Sequence, residues 1–171
     1  NTTYNTGAGT NNAGDTYSFG SVPPSTAAGD RAFGGLQSGS LIPTVGAGFT
    51  NAGSSIVTSI DIDYAGEQWR LGTINRGSDR IDFQYSLNAT SLADGSWADV
   101  DALDFATPGL GGAAGNRDGN AAGNRTALAT TLDGFSLPAG ATIWIRWTDF
   151  DISSSDDGLA IDDFSLAVHG P

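Results

Sequence analysis

Three stretches of this chain alternate apolar and polar residues with a period of two, and that periodicity leaves little choice of fold. Over residues 80–87, Ile81, Phe83, Tyr85 and Leu87 fall on one face and Arg80, Asp82, Gln84 and Ser86 on the other. Over 56–64, Ile60, Ile62 and Tyr64 oppose Ser59, Asp61 and Asp63. Over 142–148, Ile143, Ile145 and Trp147 oppose Trp144 and Arg146. Successive side chains of a strand point to opposite faces, so each stretch predicts a half-buried strand of an antiparallel sheet.

Shorter strands are expected at 16–19, 31–36, 45–51 and 159–168, with Val45, Ala47 and Phe49 on one face of the third. A further strand is expected over 68–71, after a turn at Gly66. Helix formers are scarce: there is no Lys, no Met and one Glu, Glu67, and no window of ten residues carries a helical stripe. The 25 glycines suit many turns. Pro23, Pro24 and Gly29 mark one loop, and the Gly/Ala/Asn-rich stretch 106–125 predicts a long one, of the length that is usually functional or mobile. The expectation is one domain over 1–171, an all-β antiparallel β-sandwich of jelly-roll type. Its core is expected to hold Phe49, Ile60, Ile62, Ile81, Phe83, Tyr85, Ile143, Ile145, Trp147 and Ile161.

Charge narrows the partners. The formal net charge is −12, which repels a phosphate backbone, and no basic patch stands out, so nucleic acid is not expected as a partner. No apolar run reaches membrane-spanning length, so membrane insertion is not expected either. There is no cysteine, which removes disulfides and thiolate metal sites. All seven basic residues are arginine, whose planar fork pairs with carboxylates. Arg31, Arg70, Arg80 and Arg146 are therefore candidate structural ion-pair residues, with Asp163 or Asp162 accepting from Arg146 or Arg70.

The segment Trp144-Ile-Arg-Trp-Thr-Asp-Phe150, followed by Asp156-Asp-Gly-Leu-Ala-Ile-Asp-Asp-Phe-Ser-Leu166, resembles the closing strands of MAM-type jelly rolls. It resembles more closely a module of large bacterial secreted and surface proteins, at times beside extracellular nuclease or phosphatase domains. Gly29-Asp-Arg-Ala-Phe33, the run from Tyr64 to Gly72 and the run from Asp79 to Tyr85 look like the same module. The resemblance implies a jelly roll outside the bacterial cell, and leaves the activity open. That pattern places a Pro-Gly-Trp-Tyr-like turn ahead of the part that begins here at Thr2-Thr-Tyr4. The resemblance therefore implies a first strand that is trimmed away or supplied by a partner, the Thr/Asn/Gly-rich arm 1–14 being a candidate donor to a neighbour.

Chemistry is sparse. The single His, His169, lies two residues from the end, and without Cys or Lys the usual nucleophiles are missing. A pair of carboxylates would suffice for glycoside hydrolysis, but nothing selects one pair. No catalytic residue is expected. Asp149, Asp151, Asp156, Asp157, Asp162 and Asp163 crowd near the C-terminus, and a structural Ca²⁺ is expected on Asp157 and Asp162, with Asp156 and Asp163 as neighbours. Trp144, opposite the buried isoleucines, and Trp97 are candidate platforms for a sugar ring. The expected function is a non-catalytic extracellular structural or adhesive module working through contacts with itself or neighbouring surface proteins. The alternatives are a polysaccharide-binding module of a secreted hydrolase and an accessory domain of a secreted nuclease.

Overall fold

The computed structural model describes residues 4–20 and 29–171. The expected loop at Pro23 and Pro24 lies outside the described residues. The described chain is nearly all β. Its strands are β1 (Asn5–Gly7), β2 (Asp15–Phe19), β3 (Ala32–Leu36), β4 (Thr44–Thr50), β5 (Ser59–Leu71), β6 (Arg80–Ser86), β7 (Ala98–Asp99), β8 (Phe105–Ala106), β9 (Gly115–Asn116), β10 (Arg125–Leu132), β11 (Thr142–Asp149) and β12 (Gly158–His169), with one 3₁₀ turn at Asp101–Leu103. They form two packed sheets. One runs β1-β2-β3-β12-β5-β10, with β9 also on β5; the other runs β4-β11-β6-β7, with β8 also on β6. Every pairing is antiparallel except β1 with β2.

The core lies between the sheets where the alternation placed it. Ile60, Ile62, Ile81, Phe83, Ile143, Ile145 and Trp147 are buried together. Trp147 is the hub: Tyr64, Phe83 and Phe164 meet its ring edge to face at 5.2, 5.1 and 5.7 Å between centroids. Phe49, Tyr85 and Ile161 pack against this core but are only partly buried. Leu87 falls beyond the end of β6 and is exposed.

Two sequence expectations change. The turn at Gly66 does not exist, because β5 runs unbroken for 13 residues. Gly66 is a strand position on the core face over which the Phe105 ring lies; a Cβ there would sit 2.2 Å from the ring. The glycine makes room for an aromatic ring, and no change of direction follows. The stretch 106–125 is also more ordered than a bare loop. It contributes β8 and β9, and it packs on Trp69, a member of a second apolar cluster with Tyr17, Phe19, Ala32, Leu36 and Ala160 on the outer face of the larger sheet. Arg117 N–H donates to the Trp69 carbonyl at 2.8 Å, and Gly119 lies on the Trp69 indole, where a Cβ would come within 2.4 Å of the ring. The arm from Tyr4 is also seated on its own chain, through β1 and through Arg70 Nη1, which donates to the carbonyls of Gly9 and Thr10.

Candidate functional site

The core faces of four strands end on polar residues, all at one end of the sandwich. On β5 the inward series Ile60, Ile62, Tyr64, Gly66 continues to Gln68. On β6 the series Tyr85, Phe83, Ile81 continues back to Asp79. On β11 Ile143, Ile145, Trp147 continue to Asp149, and on β12 Ile161 and Leu159 continue back to Asp157. Gln68, Asp79, Asp149 and Asp157 are all buried, and Asp156 and Thr107 are buried beside them. The Arg76 side chain, 8% exposed, enters the same cluster.

Asp157 is saturated. Its Oδ1 accepts from the Gly72 N–H at 2.7 Å and from Arg76 Nη2 at 2.8 Å, and its Oδ2 accepts from the Thr107 hydroxyl at 2.7 Å and from Gln68 Nε2 at 3.4 Å. Its own N–H donates to Asp79 Oδ2 at 2.7 Å, and Arg76 Nη2 also lies 3.5 Å from that oxygen. Burial raises the Asp79 carboxyl, against the pull of two backbone N–H donors. A carboxylate with four donors is an anchor that ties β5, β12 and the segments through Arg76 and Thr107 together.

Asp149 is the opposite case. It is 2% exposed, and among the described residues neither carboxylate oxygen has a hydrogen-bond partner of ordinary geometry. Burial, compounded by the negative charges of Asp79, Asp156 and Asp157, pushes its carboxyl up to about 9, with the Gln37 backbone N–H pulling the other way. At neutral pH Asp149 is therefore a neutral acid. The cavity beside it holds about 10 Å³, room for one water at most and for no substrate. The Gln37 amide oxygen, also buried, has no partner among the described residues.

The expected Ca²⁺ residues are not brought together. Asp162 lies five positions beyond Asp157, roughly 16 Å along extended backbone. It belongs to a second acidic group on the outer face of the larger sheet, with Asp163, Glu67 and Arg125. Among the described residues, no three His, Asp or Glu side chains form a group that could hold a metal ion. Asp156 accepts from the Ile152 N–H at 3.2 Å. Asp163 does pair with an arginine, but the arginine is Arg125, at 2.7 Å. Arg146 instead donates to Gln84 Oε1 and to the Leu92 carbonyl, and Arg70 to the arm. Arg31 bonds Ser18, and Arg80 pairs with Asp82 on the surface. Glu67 is fully buried; its carboxylate accepts from Trp69 Nε1 at 3.0 Å, and burial with the Asp162 charge nearby pushes it up to about 7.

The two candidate sugar platforms share the outer face of the smaller sheet. Trp144 lies over Gly48 of the neighbouring strand, where a Cβ would come within 2.8 Å of its ring. Trp97 stacks on the Arg146 guanidinium, 3.9 Å from its centroid, so one ring face is already used. Both are half-buried. His169 Nε2 lies 2.7 Å from Asp61 Oδ2 on an exposed stretch of β5 and β12.

Parity alone would have found Asp79, Asp149 and Asp157, because each continues the apolar face of an alternating strand. No family model matches this chain, and no curated protein matches it.

Proposed function

We propose that this chain is a non-catalytic structural or adhesive module of jelly-roll type, acting outside the bacterial cell through contacts with copies of itself or neighbouring surface proteins. The observation that carries this reading is where the reactive groups sit. The carboxyls with the strongest upward shifts, Glu67 and Asp149, are sealed in the protein, and Asp79 and Asp157 are consumed by mutual bonding. An acid or base that substrate cannot touch does no chemistry. What the surface offers is solvated aspartates, backbone edges and scattered apolar side chains.

A polysaccharide-binding module is the second reading, favoured by Trp144, half-buried against Gly48 on the outer face of the smaller sheet. A glycan array probed with the chain and with Trp144→Ala separates the two. No binding is expected; binding that Trp144→Ala abolishes would move the assignment to carbohydrate. The accessory role beside a nuclease rests on the sequence resemblance alone.

A structural calcium ion belongs to the proposal, though not on Asp157, whose lone pairs are filled. Asp156, one of the four expected ligands, keeps capacity on its carboxylate, and backbone oxygens and water would complete the shell. Melting in calcium and in excess EDTA tests it. A higher Tm in calcium, reduced in Asp156→Asn, is expected; coincident curves for the unsubstituted chain would remove the ion.

A further inference from the structure

We infer that the free edge of β4 is the surface through which two copies of this chain pair, strand against antiparallel strand. The inference rests on the reading of a module that works through protein contacts, and it names the contact.

β4 bonds to β11 on one side and to no described strand on the other. Its register with β11 runs unbroken from Thr44 to Thr50. An open edge is ordinarily blunted by charge, proline, a bulge or shortness. The β4 sequence, Thr-Val-Gly-Ala-Gly-Phe-Thr, has seven residues and no charge, proline or bulge.

The surroundings of that edge are apolar. A groove of about 700 Å³ borders its first half and a second of about 240 Å³ borders its last residues. Exposed Tyr4, Phe33 and Ile42 line the first, and exposed Val168 lines the second. Among the described residues, neither groove is lined by an acid, and Arg146 is the one charged residue in either. A chain of net charge −12 repels its own copies over most of its surface. Two copies approach at least cost where the acids are missing.

Of the other terminal strands, β1 and β7 are three and two residues long, too short to template a partner. β10 shows the contrast: it is eight residues long, pairs only with β5 among the described strands, and also lacks a bulge. The groove beside it is lined by Asp63, Asp163 and Arg125, so two copies meeting there would bring acids together.

Antiparallel pairing of β4 with itself is a two-fold contact centred on Ala47. It sets Thr44 of one copy against Thr50 of the other. The first groove of each copy then abuts the second groove of its mate, and Ile42 and Phe33 meet Phe49 and Val168 of the second copy. Seven residues of backbone pairing bury less than the roughly 1,200–2,000 Å² of a stable interface, and these flanking side chains supply the rest. The smaller sheets of the two copies would join into one.

Sedimentation equilibrium of the 171-residue chain, from low to high micromolar, is the test. Mass is expected to rise with concentration from 17.4 kDa towards twice that value. Ala47→Lys puts a charge into the open edge, and Ile42→Glu puts one on the exposed rim; each is expected to weaken dimerisation at least tenfold with an unchanged Tm. Ala129→Lys, on β10, is expected to leave it unchanged. If Ala47→Lys fails to fold, Ile42→Glu decides alone. A dimer insensitive to Ile42→Glu but lost in Ala129→Lys overturns the β4 assignment and leaves the protein-contact reading standing. A monomer at every concentration overturns the pairing; if that monomer also binds glycans through Trp144, the wider reading falls with it.

Discussion

The middle of the inter-sheet space and its acidic end are built by the same strands on the same faces, and they hold together by opposite means. In the middle, Trp147, Phe83, Ile145 and Ile62 gain by leaving water. At the end, Asp79, Asp149 and Asp157 lose hydration that must be replaced. Asp157 replaces it with four donors. Asp149 finds none of ordinary geometry among the described residues and is held as a neutral acid instead. The difference teaches that strand parity decides which face a residue takes, whereas the local supply of donors decides whether a buried carboxyl is ionised.

The largest expected effect lies in the middle. Phe83 is fully buried against Trp147, and Phe83→Ala is expected to cost about 3–5 kcal/mol by urea unfolding, from lost transfer energy and the cavity left behind. An unchanged midpoint would mean that this face is not the core.

The acidic end comes next. Asp157→Asn keeps the shape but weakens the charge-assisted bond to Arg76 and turns one acceptor into a donor facing donors. The expected cost is about 1.5–3 kcal/mol. A neutral result would show that the cluster fills space and anchors nothing, erasing the contrast between Asp157 and Asp149.

Asp149 sharpens the same contrast through pH. Its folded value of about 9 lies far above the ordinary 3.8, so between those two pH values the folded chain holds a proton that the unfolded chain has released. Stability therefore falls as pH rises across that window, with a slope of about 1.4 kcal/mol per pH unit for one proton, and flattens above the folded value. Glu67, pushed up to about 7, adds to the slope below pH 7. In EDTA, Asp149→Asn is expected to be more stable than the unsubstituted chain at pH 8 and to lose one proton's worth of slope between pH 7 and 9. Identical pH profiles would show that Asp149 ionises freely in the fold.

How much of this was legible beforehand follows from what each signal measures. Alternation located β6, β11 and the first part of β5, and with them most of the core, because Ile, Phe and Trp at every second position leave one arrangement. It missed β10, where Thr126, Ala127, Leu128, Ala129, Thr130 and Thr131 differ too little in polarity for a face to show. It missed the continuity of β5 because glycine marks both turns and close approaches, and only the position of Phe105 distinguishes them. At the candidate site, crowding in sequence pointed to Asp157 with Asp162, whereas the fold groups Asp157 with Asp79, which is distant in sequence. Parity carried the information, and crowding did not.

The smallest effect is expected from a surface ion pair of one of the four arginines singled out in the sequence. Arg80 and Asp82 face outward on β6; the guanidinium donates from Nη2 to Asp82 Oδ2 at 3.0 Å, and its Nε is in ion-pair contact with Oδ1. More than half of the Arg80 side chain is in solvent. Water already solvates both charges in the unfolded chain, and holding two long side chains in one geometry costs entropy that offsets the attraction. Arg80→Ala is expected to shift stability by about 0.5 kcal/mol or less, and the shift is expected to shrink further in 0.5 M salt, where screening is short-ranged. Arg76, which reaches its carboxylates in the interior, is expected to cost several times more on the same substitution and to be insensitive to salt, because its loss leaves Asp157 buried without its cation. Equal costs for Arg76→Ala and Arg80→Ala would mean that burial of the cluster confers nothing that a surface pair lacks.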